Sequence, residues 1–262
     1  MTQTTITAKY IVMSQDVQDD YRQRIYAKYV SSRANEIPLS NLNGLAGRLH
    51  VLDVQIRRHV PQDKLATILD LGCGHGAILH GLRLAGYKNL HGVDGSKEQI
   101  ELARCLGIPG VKHGDIMKTL AITPDSTIDC ILTYDVIEHL TKIELLGLVD
   151  DVRRVLSSGG RWIIHAPNGE SPFVGRILYG DLTHELAFTR GSLTHLLLSS
   201  GFTKVDCFED RPVVLGVRSS IRAVLWQLIR LFLISYIAIE TGGLDRRAIF
   251  SQNLTAVAIR GE

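Results

Sequence analysis

The residues with the most chemical content are a short stretch, Thr67 to Leu79 (TILDLGCGHGAIL), and the acids and histidines that follow it at wide spacing. An apolar run stops at Asp70, breaks into Gly72, Gly74 and Gly76 around Cys73, and resumes with helical spacing. That is the pattern of a strand, a tight turn and a helix start. A turn this rich in glycine lets a backbone approach a ligand that a Cβ would block, and the helix behind it offers unpaired N–H groups, which suits a nucleotide. Gly72, Gly74 and Ala77 also satisfy the loose G-x-G-x-x-G/A dinucleotide pattern. Asp70 weighs against a dinucleotide, because a fixed carboxylate two residues before the first glycine repels a diphosphate and attracts a cationic ligand. Cys73 reads either as a reactive thiol or, more plainly, as a small side chain tolerated in a tight loop.

The elements that must position these residues alternate. Ile78 to Ala85 is an expected helix ending near Gly86, and Asn89 to Val93 a strand running onto Asp94 and Gly95. An acid at the end of the second strand of a nucleotide-binding βαβ unit is placed to accept both ribose hydroxyls. Ser96 is an expected N-cap, with Gln99 completing a capping box and the helix running to about Leu106. Further strands are expected at Val111 to Asp115, Ile128 to Thr133, Arg161 to Ala166 and Asn253 to Ile259. Helices are expected at Asn41 to Val60, Thr141 to Leu156 and Gly191 to Ser200, with a turn at Ser157 to Gly160. Ligands of open α/β sheets sit beyond the carboxyl ends of strands, which brings Tyr134 to Leu140 (YDVIEHL) to the same mouth.

Asp70 followed by Gly72, Gly74 and Gly76 resembles the first motif of the class I S-adenosylmethionine-dependent methyltransferases. Asp94, Gly114-Asp115-Ile116, Asp135-Val136-Ile137-Glu138-His139-Leu140 and the R-V-L-x-x-G-G turn leading to Pro167-Asn168 continue that resemblance in order. The string around His139 is similar to the signature of small-molecule enzymes near the ubiquinone-biosynthesis and glycan-modifying O-methyltransferases. The resemblance implies a Rossmann-like, seven-stranded, mainly parallel α/β sheet with helices on both faces. It implies S-adenosyl-L-methionine as cofactor, held by Asp70, Gly72, Cys73, Gly74, Asp94, Gly95, Asp115, Ile116 and Tyr134. It further implies that Asp115 receives the adenine amino group while Ile116 covers the ring, and that an N-terminal segment caps the pocket with a tyrosine or arginine near the methionine carboxylate.

The acceptor is expected to be a sugar, glycan precursor or other small molecule methylated at oxygen, with a quinone or prenylated phenol as the alternative. His139 and His184 are the candidate bases, an unperturbed imidazole being available near neutral pH. His165 reads as a packed or hydrogen-bonded sheet residue. Asp181, His184 and Glu185 have the composition of a metal site, yet nothing else supplies a ligand set, so no metal is expected. Two other classes stay open: a non-catalytic cofactor-binding partner, and an NAD-dependent reductase, although the latter lacks a Lys four residues after Tyr134, where Glu138 stands.

With 262 residues and 45% hydrophobic content, the chain suits one core with additions: an N-terminal helical cap over 1–60 and a methyltransferase domain over 61–262 carrying a helical insertion at about 211–245. A net charge of +2 gives no basic excess for nucleic acid. Four scattered cysteines without CxxC pairs and an N-terminus without a basic-then-apolar start point to the cytoplasm. Arg218 to Glu240 departs from a plain cofactor-binding domain. Its arginines Arg218, Arg222 and Arg230 fall within about 120° of each other on a helical wheel. The nine uncharged residues between Arg230 and Glu240 are too few for a spanning helix of roughly 20. Contact with the inner face of a membrane, an acceptor lid or a homodimer through 218–240 are the readings this stretch allows.

Overall fold

The computed structural model describes residues 21–22, 24–31 and 57–262. The helix expected over Asn41 to Val60 lies largely outside the described residues. The elements run β1 (Ile68–Leu71), α1 (Ala77–Leu84), β2 (Leu90–Asp94), α2 (Lys97–Cys105), β3 (Val111–His113), α3 (Ile116–Ile122) and β4 (Ile128–Tyr134). A 3-10 turn at Ile137–His139 follows, then α4 (Lys142–Val155), β5 (Leu156–Pro167), α5 (Val174–Leu178), α6 (Arg190–Ser199), β6 (Phe202–Glu209), α7 (Val217–Thr241) and β7 (Asn253–Arg260).

The seven strands form one sheet in the order β3-β2-β1-β4-β5-β7-β6, parallel except that β7 runs antiparallel between β5 and β6. From the adjacent pair β1 and β4 the chain winds outward in opposite directions, which opens a crevice at their carboxyl ends. Alternation along β1 sends Leu69 and Leu71 into one core layer with Ile131, Trp162 and Leu148. Ile68 joins the other layer with Leu79, Leu82 and Leu132. Helix α4 buries Leu145, Leu148, Val149, Val152 and Val155, the stripe that its helical periodicity foretells. Trp162 is wholly buried and its indole N–H donates to Thr133 Oγ1 at 3.0 Å.

Two local expectations are corrected, and one strand is added. The Ser157 to Gly160 turn is a bulge inside β5, because the register passes from Ile128 opposite Leu156 to Cys130 opposite Arg161. Strand β6 goes unread in the sequence since a register shift between Phe202 and Lys204 breaks its alternation. The Ser96 capping box is half made: Ser96 Oγ accepts the Gln99 N–H, while the Ser96 N–H goes to Asp94 and the Gln99 amide to His75.

Residues 21–31, where described, lie across the sheet's carboxyl-end mouth. Arg22 makes a bidentate ion pair with Glu144 at 2.8 and 3.1 Å, Tyr21 donates to Glu185, and Ser96 Oγ donates to the Tyr26 carbonyl.

Candidate functional site

The glycine turn leans over the neighbouring strand because the Gly72 and Cys73 N–H groups both donate to the Val93 carbonyl, at 2.8 and 3.1 Å. Asp94, at the end of β2, then ties two loops together. One carboxylate oxygen accepts from Gly74 N–H and the other from Ser96 N–H, each at 2.8 Å. Burial raises the Asp94 pKa, and these N–H donors work against that rise. Gly72 has φ +72°, and a Cβ there would stand 2.4 Å from Val136 Cγ2, so the turn and the loop after β4 touch without room for a side chain. Asp115 caps α3 by accepting the Lys118 N–H at 2.8 Å.

These loops enclose a cavity of about 560 Å³, within the size range of small-molecule sites. Gly72, Gly74, Asp94, Gly95, Asp115, Ile116, Tyr134 and His139 all line it, together with Arg22, Tyr26 and Tyr29 from the N-terminal segment. Asp70, Cys73 and His184 are not part of that wall. Asp70 is fully buried, and neither carboxylate oxygen has a hydrogen-bond partner. Burial, reinforced by the Asp94 charge, pushes its pKa well above the usual carboxylate range. Cys73 packs against Gly92, and burial with the Asp70 and Asp94 charges pushes its thiol up, which leaves it protonated and unreactive.

The far end of the cavity is built differently. Asp135 takes the left-handed backbone at φ +54° and lines the cavity. His165 is clamped between two carboxylates, with Nδ1 2.7 Å from Asp135 and Nε2 2.7 Å from Asp210, and its ring stacks on Tyr134 at 4.5 Å. Burial alone would lower the His165 pKa, but the two aspartates carry it well above its ordinary value. Burial likewise acts to raise Asp135, and the His165 charge overrides it and holds that carboxyl low. His165 is therefore hydrogen-bonded, as its sequence context suggested, and it also supports the cavity wall.

Glu138 and His139 sit on the 3-10 turn after β4. The Glu138 carbonyl accepts from Glu185 and Leu186 N–H at 2.7 and 3.0 Å, which pins the loop carrying His184 against the turn. The His139 and His184 rings come to 4.7 Å. Burial, with the Asp135 charge, raises Glu138 to about 8, and burial beside His184 lowers His139 to about 4. The gathering of Glu138 with His139 and His184 escaped sequence reasoning, which paired His184 with Asp181 and Glu185. Its partners are 45 and 46 residues away, and hydrogen bonds from the Glu138 carbonyl and from His139 Nδ1 to Thr183 join the two segments.

Residues 69–164 match the family model described as a methyltransferase domain. A probable S-adenosylmethionine-dependent methyltransferase of Mycolicibacterium smegmatis is 27% identical over 142 residues, covering 53% of this chain and 52% of the relative, so the match spans about half of that protein. Among solved structures, a SAM-dependent methyltransferase of Archaeoglobus fulgidus superposes with a TM-score of 0.60 at 23% identity, covering 81% of this chain and 94% of that one. A putative methyltransferase of Haloferax volcanii, solved with the Trm112 activator, gives 0.58 at 16% identity, covering 84% and 93%. Residues 69–164 are thus similar to a methyltransferase domain, and the seven-stranded mixed sheet that carries them is the fold shared with these solved structures.

Proposed function

We propose that the protein methylates a hydroxyl of a sugar, glycan precursor or other small molecule. The observation that carries this is a single cavity with two unlike ends, a glycine turn clamped by Asp94 at one and His139 beside Asp135 at the other. When bound, the cofactor supplies an electrophilic methyl group on a sulfonium.

The chain's residues fit that group. Gly72 holds the turn against Val136 with no room for a Cβ, which keeps the turn's backbone at the cavity wall, and Asp70, buried behind that wall, has two carboxyl oxygens without a hydrogen-bond partner. Asp94 keeps lone pairs for ribose hydroxyls beyond those given to Gly74 and Ser96. Asp115 and Ile116 hold the adenine, with Gly95 and Tyr134 completing the wall. Arg22, whose Nε is buried without a partner among the described residues, meets the cofactor's carboxylate from the N-terminal segment that lines the cavity. His139 and His184 form the acceptor side, where the hydroxyl's proton is handled.

Calorimetry separates this reading from a dinucleotide enzyme. S-adenosylhomocysteine is expected to bind one-to-one and NAD not to bind; the reverse overturns the proposal. Turnover with a hydroxyl acceptor then separates an enzyme from a non-catalytic cofactor-binding partner.

A second observation favours an acceptor that is lipid-linked or prenylated. Helix α7 within the insertion at 211–245 has no buried residue, and Val224, Leu228, Phe232 and Ile239 are among a continuous set of exposed apolar side chains. By length and composition it could cross a membrane. Arg230 argues for lying on one instead, because it pairs with the buried Glu209 carboxylate at 2.8 Å and donates to the Ala248 carbonyl, fastening the helix along the body. Of the three arginines that the helical wheel groups together, only Arg218 and Arg222 are left for headgroups, each worth about 1 kcal/mol near an anionic surface. Flotation with anionic vesicles is expected to recover the protein at low salt and less of it at high salt. Absence from the vesicle fraction, with a dimer in sedimentation, assigns the face to a second subunit.

A further inference from the structure

We propose that Glu138, His139 and His184 form a site for one divalent transition-metal cation of the zinc type at the acceptor end of the cavity. One ligand atom from each lies within 4.8 Å of the others. Two imidazoles and a carboxylate are the donor set of open catalytic zinc sites, in which three protein ligands leave a position for water or substrate.

The hydrogen bonds around the two histidines set the tautomers such a site requires. His184 Nδ1 stands 3.0 Å from the Ile177 carbonyl, which only accepts, so Nδ1 carries the hydrogen and Nε2 presents a lone pair. His139 Nδ1 stands 2.8 Å from Thr183 Oγ1. That hydroxyl spends its own hydrogen on Asp181 at 2.6 Å, so it accepts from His139 and again leaves Nε2 bare. A carboxylate, reached here through a hydroxyl, behind the far nitrogen of a ligating histidine is the arrangement that orients metal ligands and raises their basicity.

Glu138 supplies the independent sign of a missing partner. It is 1% exposed, and its Oε2 has no hydrogen bond. A buried carboxylate oxygen left so costs stability unless something pairs with it, and a cation does so at full charge. Tetrahedral bonds of ~2.0–2.1 Å would bring the ligand atoms to about 3.3 Å apart, so the imidazoles swing inward on binding. His139 belongs to the cavity wall, which puts the cation beside the cavity and gives its open position to an oxygen of the acceptor. That role rests on the proposed methyl transfer; the binding of the cation does not.

The test uses the full chain, freed of metal with a chelator and titrated with CoCl2 and ZnCl2. Expected are one cobalt per chain, with the visible absorption of low-coordinate Co2+, displaced by zinc. His139→Ala and His184→Ala should each weaken binding about 100-fold or more, while His195→Ala, on the exposed face of α6, should leave it unchanged. Should either alanine variant fail to fold, Glu138→Gln tests the carboxylate, and Thr183→Val, which removes the hydroxyl that links His139 Nδ1 to Asp181 and leaves only the Thr183 carbonyl at 3.3 Å, should weaken binding about 10-fold. No binding by the parent, or equal binding by parent and ligand variants, overturns the proposal. S-adenosylhomocysteine titration of the metal-free protein keeps the two readings apart. Cofactor binding without cation binding defeats only this inference, and cation binding without cofactor binding defeats only the methyl-transfer reading.

Discussion

The two ends of the cavity hold charge by different means. At the glycine-turn end one carboxylate is satisfied by main-chain N–H groups, Asp94 accepting from Gly74 and from Ser96, while Asp70 behind it has no partner. At the other end side chains satisfy side chains across long separations, as in Asp135–His165–Asp210, or remain unsatisfied, as Glu138 does. Main-chain donors survive substitution of their own residues, so the first end depends on few identities besides its glycines and acids. The second depends on its individual side chains, since removing His165 leaves the part-buried Asp210 without its partner.

That contrast is broken or sharpened by four substitutions. The largest effect is expected at His165→Phe, which strands the part-buried Asp210 while Asp135, its side chain 60% exposed, is screened by water, so the cost should lie at the lower end of about 3–5 kcal/mol in chemical denaturation. The cost should depend on pH. Because the folded-state pKa of His165 lies above its unfolded value, its contribution is full below the unfolded pKa of about 6.5 and is lost as pH rises through the folded value. The stability gap between parent and variant should therefore be wide at about pH 6 and narrower toward about pH 10; a gap that widens with pH contradicts the imidazolium. Next comes Gly72→Ala, where a left-handed backbone and a Cβ forced against Val136 add to a loss on the order of 3 kcal/mol, together with loss of cofactor binding. Asp94→Asn should weaken S-adenosylhomocysteine binding by roughly 1.5–3 kcal/mol, tenfold or more by calorimetry, with a smaller change in melting temperature without ligand. Unchanged affinity there would remove the ribose assignment. The smallest effect belongs to Gly74→Ala, whose Cβ would find only Gln99 at 3.8 Å, leaving the cost of φ +54°, about 1 kcal/mol. Equal losses at Gly72 and Gly74 would show that backbone strain, not the contact with Val136, governs the turn.

What the sequence determined by itself is the glycine-turn end and the sheet that carries it. Asp70, Gly72, Asp94 and Asp115 follow one another at strand ends, and a parallel strand must be followed by a crossover that returns its successor to the same side. Order in the chain therefore translates into position at the mouth. The N-cap at Ser96, the stripe of α4 and the antiparallel last strand are local or periodic signals of the same kind. Tertiary structure decided the rest. The fastening of α7 through Arg230 to Glu209 turns a wheel of three arginines into two. The approach of His184 to His139 depends on the Glu138 carbonyl capturing two N–H groups from a loop 47 and 48 residues on. Neither contact has a period or a spacing, because a hydrogen bond between distant segments depends on where the fold brings them, and no local pattern in the chain encodes that distance.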